Sequence, residues 1–188
     1  MNTVIIVLLI AIQLLICLVL FAIGTELLLH RIFRKSPSLA SGNKLRDAVI
    51  QQILCDSPNA KTIIDIGSGW GGLTREIARK FSNAQVFGAE LFPMPYLYSW
   101  LRSIFFKNTK FIYGDAFKLL KNTNQNFDIG ITYLLPEQMA EVRPFMKRFK
   151  TLIAIDFPLP DVVPSRKIKL HKDHLGQHWI FVYQFVSF

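Results

Sequence analysis

Apolar residues in this chain follow two rhythms. From Val4 to Ile23 there is no alternation: twenty residues carry no charge, sixteen are Leu, Ile, Val or Phe, and Gln13 is the only strongly polar one. A helix of that length is about 30 Å long, the thickness of a bilayer's hydrocarbon core. Each such side chain contributes roughly −0.3 to −0.6 kcal/mol on insertion, and together they outweigh one Gln. A cleaved leader would want a positive start and a small-residue cleavage point. Met1-Asn2-Thr3 has no cation and Gly24-Thr25-Glu26-Leu27 is a poor cleavage point, so the run reads as an uncleaved anchor. The helix is expected to continue through Leu27 to Phe33 and to break at Ser36-Pro37-Ser38.

Beyond the break the periods become those of a globular domain. Leu45, Ala48, Val49 and Ile53 fall at helical spacing and predict a helix over Asn43 to Cys55. Thr62 to Ile66 reads as a short buried strand, followed by a Gly-rich turn and a helix marked by Leu73, Ile77, Ala78 and Phe81. Ala84 to Ala89, Lys110 to Tyr113, Phe127 to Thr132 and Thr151 to Ile155 read as further strands. Pro95 to Phe106 and Pro136 to Phe149 read as helices, the second kinked at Pro144. Trp100, Phe105 and Phe106 are expected to fill the core rather than to line a cleft. Arg166 to Leu170 and Trp179 to Phe185 alternate like an antiparallel hairpin. Strands alternating with helices predict an α/β fold, a mostly parallel sheet covered on both faces. The expected division is 1–35, anchor and basic flank, and 36–188, one α/β domain.

Composition and charge refine this picture. Hydrophobic residues make up 51% of the chain, which the first run largely explains. The net charge of +9 suits nucleic acid or anionic headgroups, but no Lys/Arg tract forms a dedicated nucleic-acid arm, so no nucleic-acid partner is expected. Arg31, Arg34, Lys35, Lys44 and Arg46 follow the span with no acid between Arg31 and Arg46. By the positive-inside rule the domain lies in the cytoplasm of a single-pass membrane protein. The short lead before the run points to a bacterial inner membrane. Cys17 and Cys55 read as reduced thiols. His171, His174 and His178 flank a turn and are expected to face solvent; no metal site is expected.

Ligands of such sheets sit beyond the carboxyl ends of the strands. Asp65 with Gly67, then Glu90, Asp115 and Tyr133, all fall there. Glycines at 67, 69 and 71 allow a tight turn and close approach to a ligand. A carboxylate at Glu90 can accept both hydrogen bonds of a ribose diol, Asp115 can meet an adenine amino group, and Asp65 can orient the turn or meet a cofactor amine. Gly67-x-Gly69-x-x-Gly72 also satisfies the dinucleotide fingerprint. An acid two residues before the first glycine suits a pyrophosphate poorly, because like charges would lie close.

The motifs Asp65-x-Gly67-x-Gly69-x-Gly71, Gly88-Ala89-Glu90 and Gly114-Asp115-Ala116 resemble those of class I S-adenosylmethionine-dependent methyltransferases. Tyr133-Leu134-Leu135-Pro136-Glu137-Gln138-Met139, Arg143-Pro144 and Asp156-Phe157-Pro158-Leu159-Pro160 resemble a narrower family of small membrane-linked methyltransferases, whose mitochondrial members modify lysines of the adenine nucleotide translocase and the ATP synthase c-subunit. The resemblance implies a Rossmann-like methyltransferase sheet over about residues 36 to 185. It implies S-adenosylmethionine as cofactor, held by Asp65, Gly67, Ser68, Gly69, Glu90, Asp115 and Ala116. It further implies N-methylation of a lysine on a membrane-associated protein. The Asn/Asp-Pro-Pro-Tyr tetrapeptide of many amine methyltransferases is absent, and Tyr133-Leu-Leu-Pro136 occupies its place. Tyr133, Glu137 and Asp156 are therefore the acceptor-side candidates. A small-molecule or lipid methyltransferase, and an inactive methyltransferase-like binding module, stand as alternatives.

Overall fold

A computed structural model describes residues 3–33, 42–173 and 176–185. The chain divides into two units, Met1–Lys35 and Ser36–Phe188. The first is one helix, α1 (Thr3–Phe33), containing an apolar stretch Val4–Thr25 that is long enough to cross a membrane by length and composition.

The second unit follows the order α2 (Asn43–Asp56), β1 (Thr62–Ile66), α3 (Gly72–Lys80), β2 (Gln85–Glu90), α4 (Pro93–Ser103), β3 (Thr109–Tyr113), α5 (Ala116–Asn122), β4 (Phe127–Thr132), α6 (Pro136–Val142), a 3-10 turn (Arg143–Arg148), β5 (Phe149–Ile155), β6 (Arg166–Asp173) and β7 (Gly176–Gln184). The seven strands form one sheet in the order β3-β2-β1-β4-β5-β7-β6. The first five are parallel, and β7 runs antiparallel between β5 and β6. This is the α/β sheet with an antiparallel C-terminal hairpin that the sequence predicts.

Successive strand residues point to opposite faces, so the sheet has two cores. Ile63, Val86, Ile129, Ile131, Ile153 and Val182 pack with α2 and α3 on one face. Ile64, Ile66, Phe149, Leu152 and Tyr183 pack with Leu120 of α5 and Met139 and Val142 of α6 on the other. Helix α3 begins where Gly71 adopts φ 67°, a left-handed conformation that glycine takes without steric cost.

Three segments depart from the sequence expectation. Helix α5 was not foreseen; at seven residues it is too short to display a period, and its one cue is the Asp115 cap. The helix expected over Pro136 to Phe149 ends at Val142. Pro144 has no N–H to continue an α-helix, the chain tightens into the 3-10 turn, and Phe149 opens β5 opposite Phe127. Its ring occupies the space that a side chain at Gly130 would need. The third departure is the outer face of α4. Trp100 is 46% exposed and Phe105 is 92% exposed, whereas only Phe106 of that trio packs partly against the core.

Candidate functional site

The site lies on the rim formed by the carboxyl ends of β1, β2, β3 and β4. Parallel register puts Asp65 beside Gly88 and Ile66 beside Ala89, and Glu90 beside Tyr113 on the next strand. The turn after β1 folds over β2: the N–H groups of Gly67 and Ser68 both donate to the Ala89 carbonyl, each at 3.0 Å. Gly67 has φ 76°, and a Cβ built there would lie 2.7 Å from Leu134 Cδ2. At Gly71 an added Cβ would meet Phe111, Ser99 and Arg75, all within 2.8 Å. The turn thus tolerates no side chain at either position.

Glu90 is 3% exposed at the end of β2. Its carboxylate accepts from Gly69 N at 2.7 Å through Oε2 and from Phe92 N at 2.9 Å through Oε1. A buried carboxylate fastened by two backbone donors is held in one orientation. The Glu90 carbonyl accepts from Gly114 N at 2.9 Å, which brings the start of the Asp115 loop to the same rim. Asp115 Oδ1 accepts from Phe117 N at 2.9 Å and caps α5; Ala116, the next residue, is buried.

Asp65 is buried and accepts from Thr74 Oγ1 at 2.6 Å. Burial pushes its carboxyl up to about 6, against the Thr74 hydrogen bond that lowers it and with the nearby Glu90 charge adding to the rise. Ser68 lies in the turn itself. Its Oγ is buried with no hydrogen-bond partner among the described residues. A buried hydroxyl without a partner in the glycine turn suits a polar ligand that supplies the missing bond.

Sequence reasoning did not single out Thr74 or Ser99. Ser99 on α4 donates to the Gly69 carbonyl at 3.0 Å and so braces the turn from outside. Nothing in the local pattern marks a serine for that role.

The acceptor-side candidates occupy three different settings. Tyr133 follows β4, half-buried against the first core, and is adjacent to Leu134, the residue seated against Gly67. Glu137 is exposed in the first turn of α6, where the helix dipole favours an acid. Asp156 stands just past β5 with φ 63°. Its carboxylate takes Trp179 N at 2.9 Å and His178 Nδ1 at 2.8 Å, tying β5 to β7. His178 is therefore buried, not solvent-facing as the hairpin pattern predicts. Strand β7, between β5 and β6, turns its ring inward to the Asp156 carboxylate. Of the other two histidines, His174 lies outside the described residues.

No protein-family model and no curated protein matches this chain. Solved structures do. An RNA methyltransferase from Salinibacter ruber, in complex with S-adenosyl-L-homocysteine, is 19% identical with a TM-score of 0.64, over 78% of this chain and 93% of that one. A human methyltransferase 10 domain containing protein is 14% identical with a TM-score of 0.62, over 88% and 95%. TrmK of M. capricolum, in complex with S-adenosyl-homocysteine, is 12% identical with a TM-score of 0.61, over 74% and 69%. At these identities the likeness concerns the fold, and the fold of residues 42–173 and 176–185 is the Rossmann-like sheet of the class I methyltransferases, with the glycine turn after its first strand.

Proposed function

We propose that this chain is an S-adenosylmethionine-dependent methyltransferase held at a membrane by α1, and that it N-methylates a lysine of a membrane-associated protein. The observation that carries the cofactor reading is the buried Glu90 carboxylate, fixed by Gly69 N and Phe92 N beside a turn with no room for a side chain at Gly67 or Gly71. Asp65, Gly67, Ser68, Gly69, Glu90, Asp115 and Ala116 would hold the cofactor, which supplies a methyl group already activated on a sulfonium. Two of the fold relatives carry S-adenosylhomocysteine, which supports the same reading.

The protein's own part is alignment and desolvation. Holding reacting atoms near contact distance can be worth ~7–11 kcal/mol. A lysine amine has an ordinary pKa of ~10.4 and must be neutral to attack. The Tyr133-Leu134 segment, beside Gly67, is the apolar wall that would favour the neutral amine. Glu137 would orient the amine or take its proton. Asp156, held by His178 and Trp179, would act by fixing the end of β5. An anchor that confines enzyme and acceptor to one surface raises their effective concentration, which favours a membrane protein over a free metabolite.

Two observations favour RNA as a second acceptor. The chain carries net charge +9 and shares its fold with an RNA methyltransferase. Calorimetry with S-adenosylmethionine tests the cofactor reading: no binding at saturating ligand overturns it. Incubating membranes, lipid extract and RNA separately with a labelled methyl donor tests the acceptor. Label in a membrane protein, at lysine, is the expected outcome; label in RNA or lipid alone replaces the acceptor and keeps the enzyme.

A further inference from the structure

Helix α4 is turned inside out relative to an ordinary surface helix. Its buried positions are Pro95, Ser99 and Ser103, all small. Its apolar positions Leu97, Trp100 and Leu101, with Ile104 just past its end, recur at i, i+3, i+4 and i+7 and face outward, between 46% and 58% exposed. Tyr98 and Phe105 extend that face, at 43% and 92%. The reason lies beneath the helix. Ser99 Oγ sits 2.7 Å from where a side chain on Gly71 would begin and bonds the Gly69 carbonyl, so the contact with the glycine turn leaves no space for a large residue. These six side chains present an area on the order of 500 Å², in the upper range for the largest apolar patch on a monomer.

We propose that this face of α4 is a membrane-docking surface that seats the α/β domain on the headgroup and upper acyl region of a bilayer. The inference rests on the membrane reading of α1 given above. Its composition is that of an interfacial helix: Trp and Tyr with a polar tip, aliphatic side chains between them, and cations at the margin. Arg75 lies 5.8 Å from the Tyr98 ring, and Arg102 and Lys107 flank the exposed row. No acidic residue occurs from Leu91 to Gly114, so the margin complements anionic headgroups. Trp70, at the tip of the glycine turn, packs edge-on against Tyr98 with ring centroids 5.4 Å apart. Docking through α4 therefore brings the rim that carries Glu90 to the membrane surface, where the side chain of an acceptor lysine would emerge.

The two native cysteines provide the controls. In the full chain, reconstituted into vesicles of phosphatidylethanolamine and phosphatidylglycerol, one nitroxide is placed at a time: on Cys17 within the apolar stretch, on exposed Cys55 at the amino-terminal side of the sheet, or on Phe105→Cys with both native cysteines changed to Ser. Collision with oxygen reports lipid, and collision with a nickel chelate reports water. The expected result is an oxygen-to-nickel ratio at position 105 several-fold above that at Cys55, falling to the Cys55 value when Leu101→Glu is added. Equal ratios at 105 and 55 with a lipid-like Cys17 overturn the docking surface and leave the anchor standing. A water-like Cys17 overturns both. A label at 105 shielded from oxygen and nickel alike means that a second copy or a protein partner covers α4, and the membrane seat is wrong.

Discussion

Glu90 and Asp65 are two buried carboxylates on one rim, and they differ in what holds them. Glu90 is fastened by two backbone N–H groups. Replacing it with Ala removes the proposed ribose acceptor and leaves both donors without theirs. Cofactor affinity should fall by ~1–3 kcal/mol, roughly 5- to 150-fold, with a drop in melting temperature. A lower melting temperature with unchanged affinity, both read by calorimetry, would make Glu90 a brace of the turn alone. Asp65 is the reverse case, because burial raises its carboxyl to about 6 from 3.8. A folded-state pKa above the unfolded one means stability that is complete at low pH and lost as pH rises through the folded value, at about 1.4 kcal/mol per unit of difference. Asp65→Asn keeps an acceptor for Thr74 and removes the ionisation. Its melting temperature should match the parent's below pH 4 and exceed it at pH 7, while cofactor affinity falls. A gap that does not change with pH would show that Asp65 does not titrate in this window.

At the scale of elements, the site depends on register, and one aspartate sets much of it. Asp128 in β4 accepts from Lys61 N at 2.7 Å and Thr62 N at 3.0 Å, and pairs with Lys150 of β5 at 2.7 Å. It pins β4 between its two neighbours at the end opposite the glycine turn. Burial works to raise its carboxyl, but Lys150 and the two N–H groups outweigh burial and hold it below the ordinary range. Its stabilisation is present above the unfolded pKa and lost as pH falls through the folded one, opposite in sign to Asp65. Asp128→Ala should cost about 1–3 kcal/mol at pH 7, and the cost should shrink below pH 4. Hydrogen exchange should quicken at Lys61 and Thr62 in that variant; unchanged exchange there would mean that the strands hold register without it. The strands were legible in the sequence because each is a short apolar run between turn residues. Helices α4 and α6 were less so. Pro144 signals an interruption, but whether a helix kinks or ends there depends on Phe149 finding a place above Gly130.

For the whole molecule, the proposed anchor and the α/β domain separate cleanly by test. Sixteen apolar side chains outweigh one or two polar ones, so a single charge in the span is expected to leave insertion intact. Changing Leu9, Leu14 and Leu18 together to Asp adds about 7.5–10.5 kcal/mol on the insertion scale and removes three favourable contributions. The variant should move from the carbonate-resistant membrane fraction to the soluble one with cofactor affinity unchanged. Retention in the membrane fraction would mean that another part of the chain supplies the attachment. The sequence by itself determined the apolar stretch, the alternation of strands and helices, the glycine turn and the acids at successive strand ends. Each of these is a local property: the length of an uncharged run, a period, or a backbone conformation that admits no Cβ. Only the tertiary structure decided what those side chains meet. It gave Asp115 a helix to cap, buried His178 against Asp156, and turned the apolar row of α4 outward. Periodicity states that a helix has two faces; which of them is buried depends on the space that the neighbouring turn leaves beneath it.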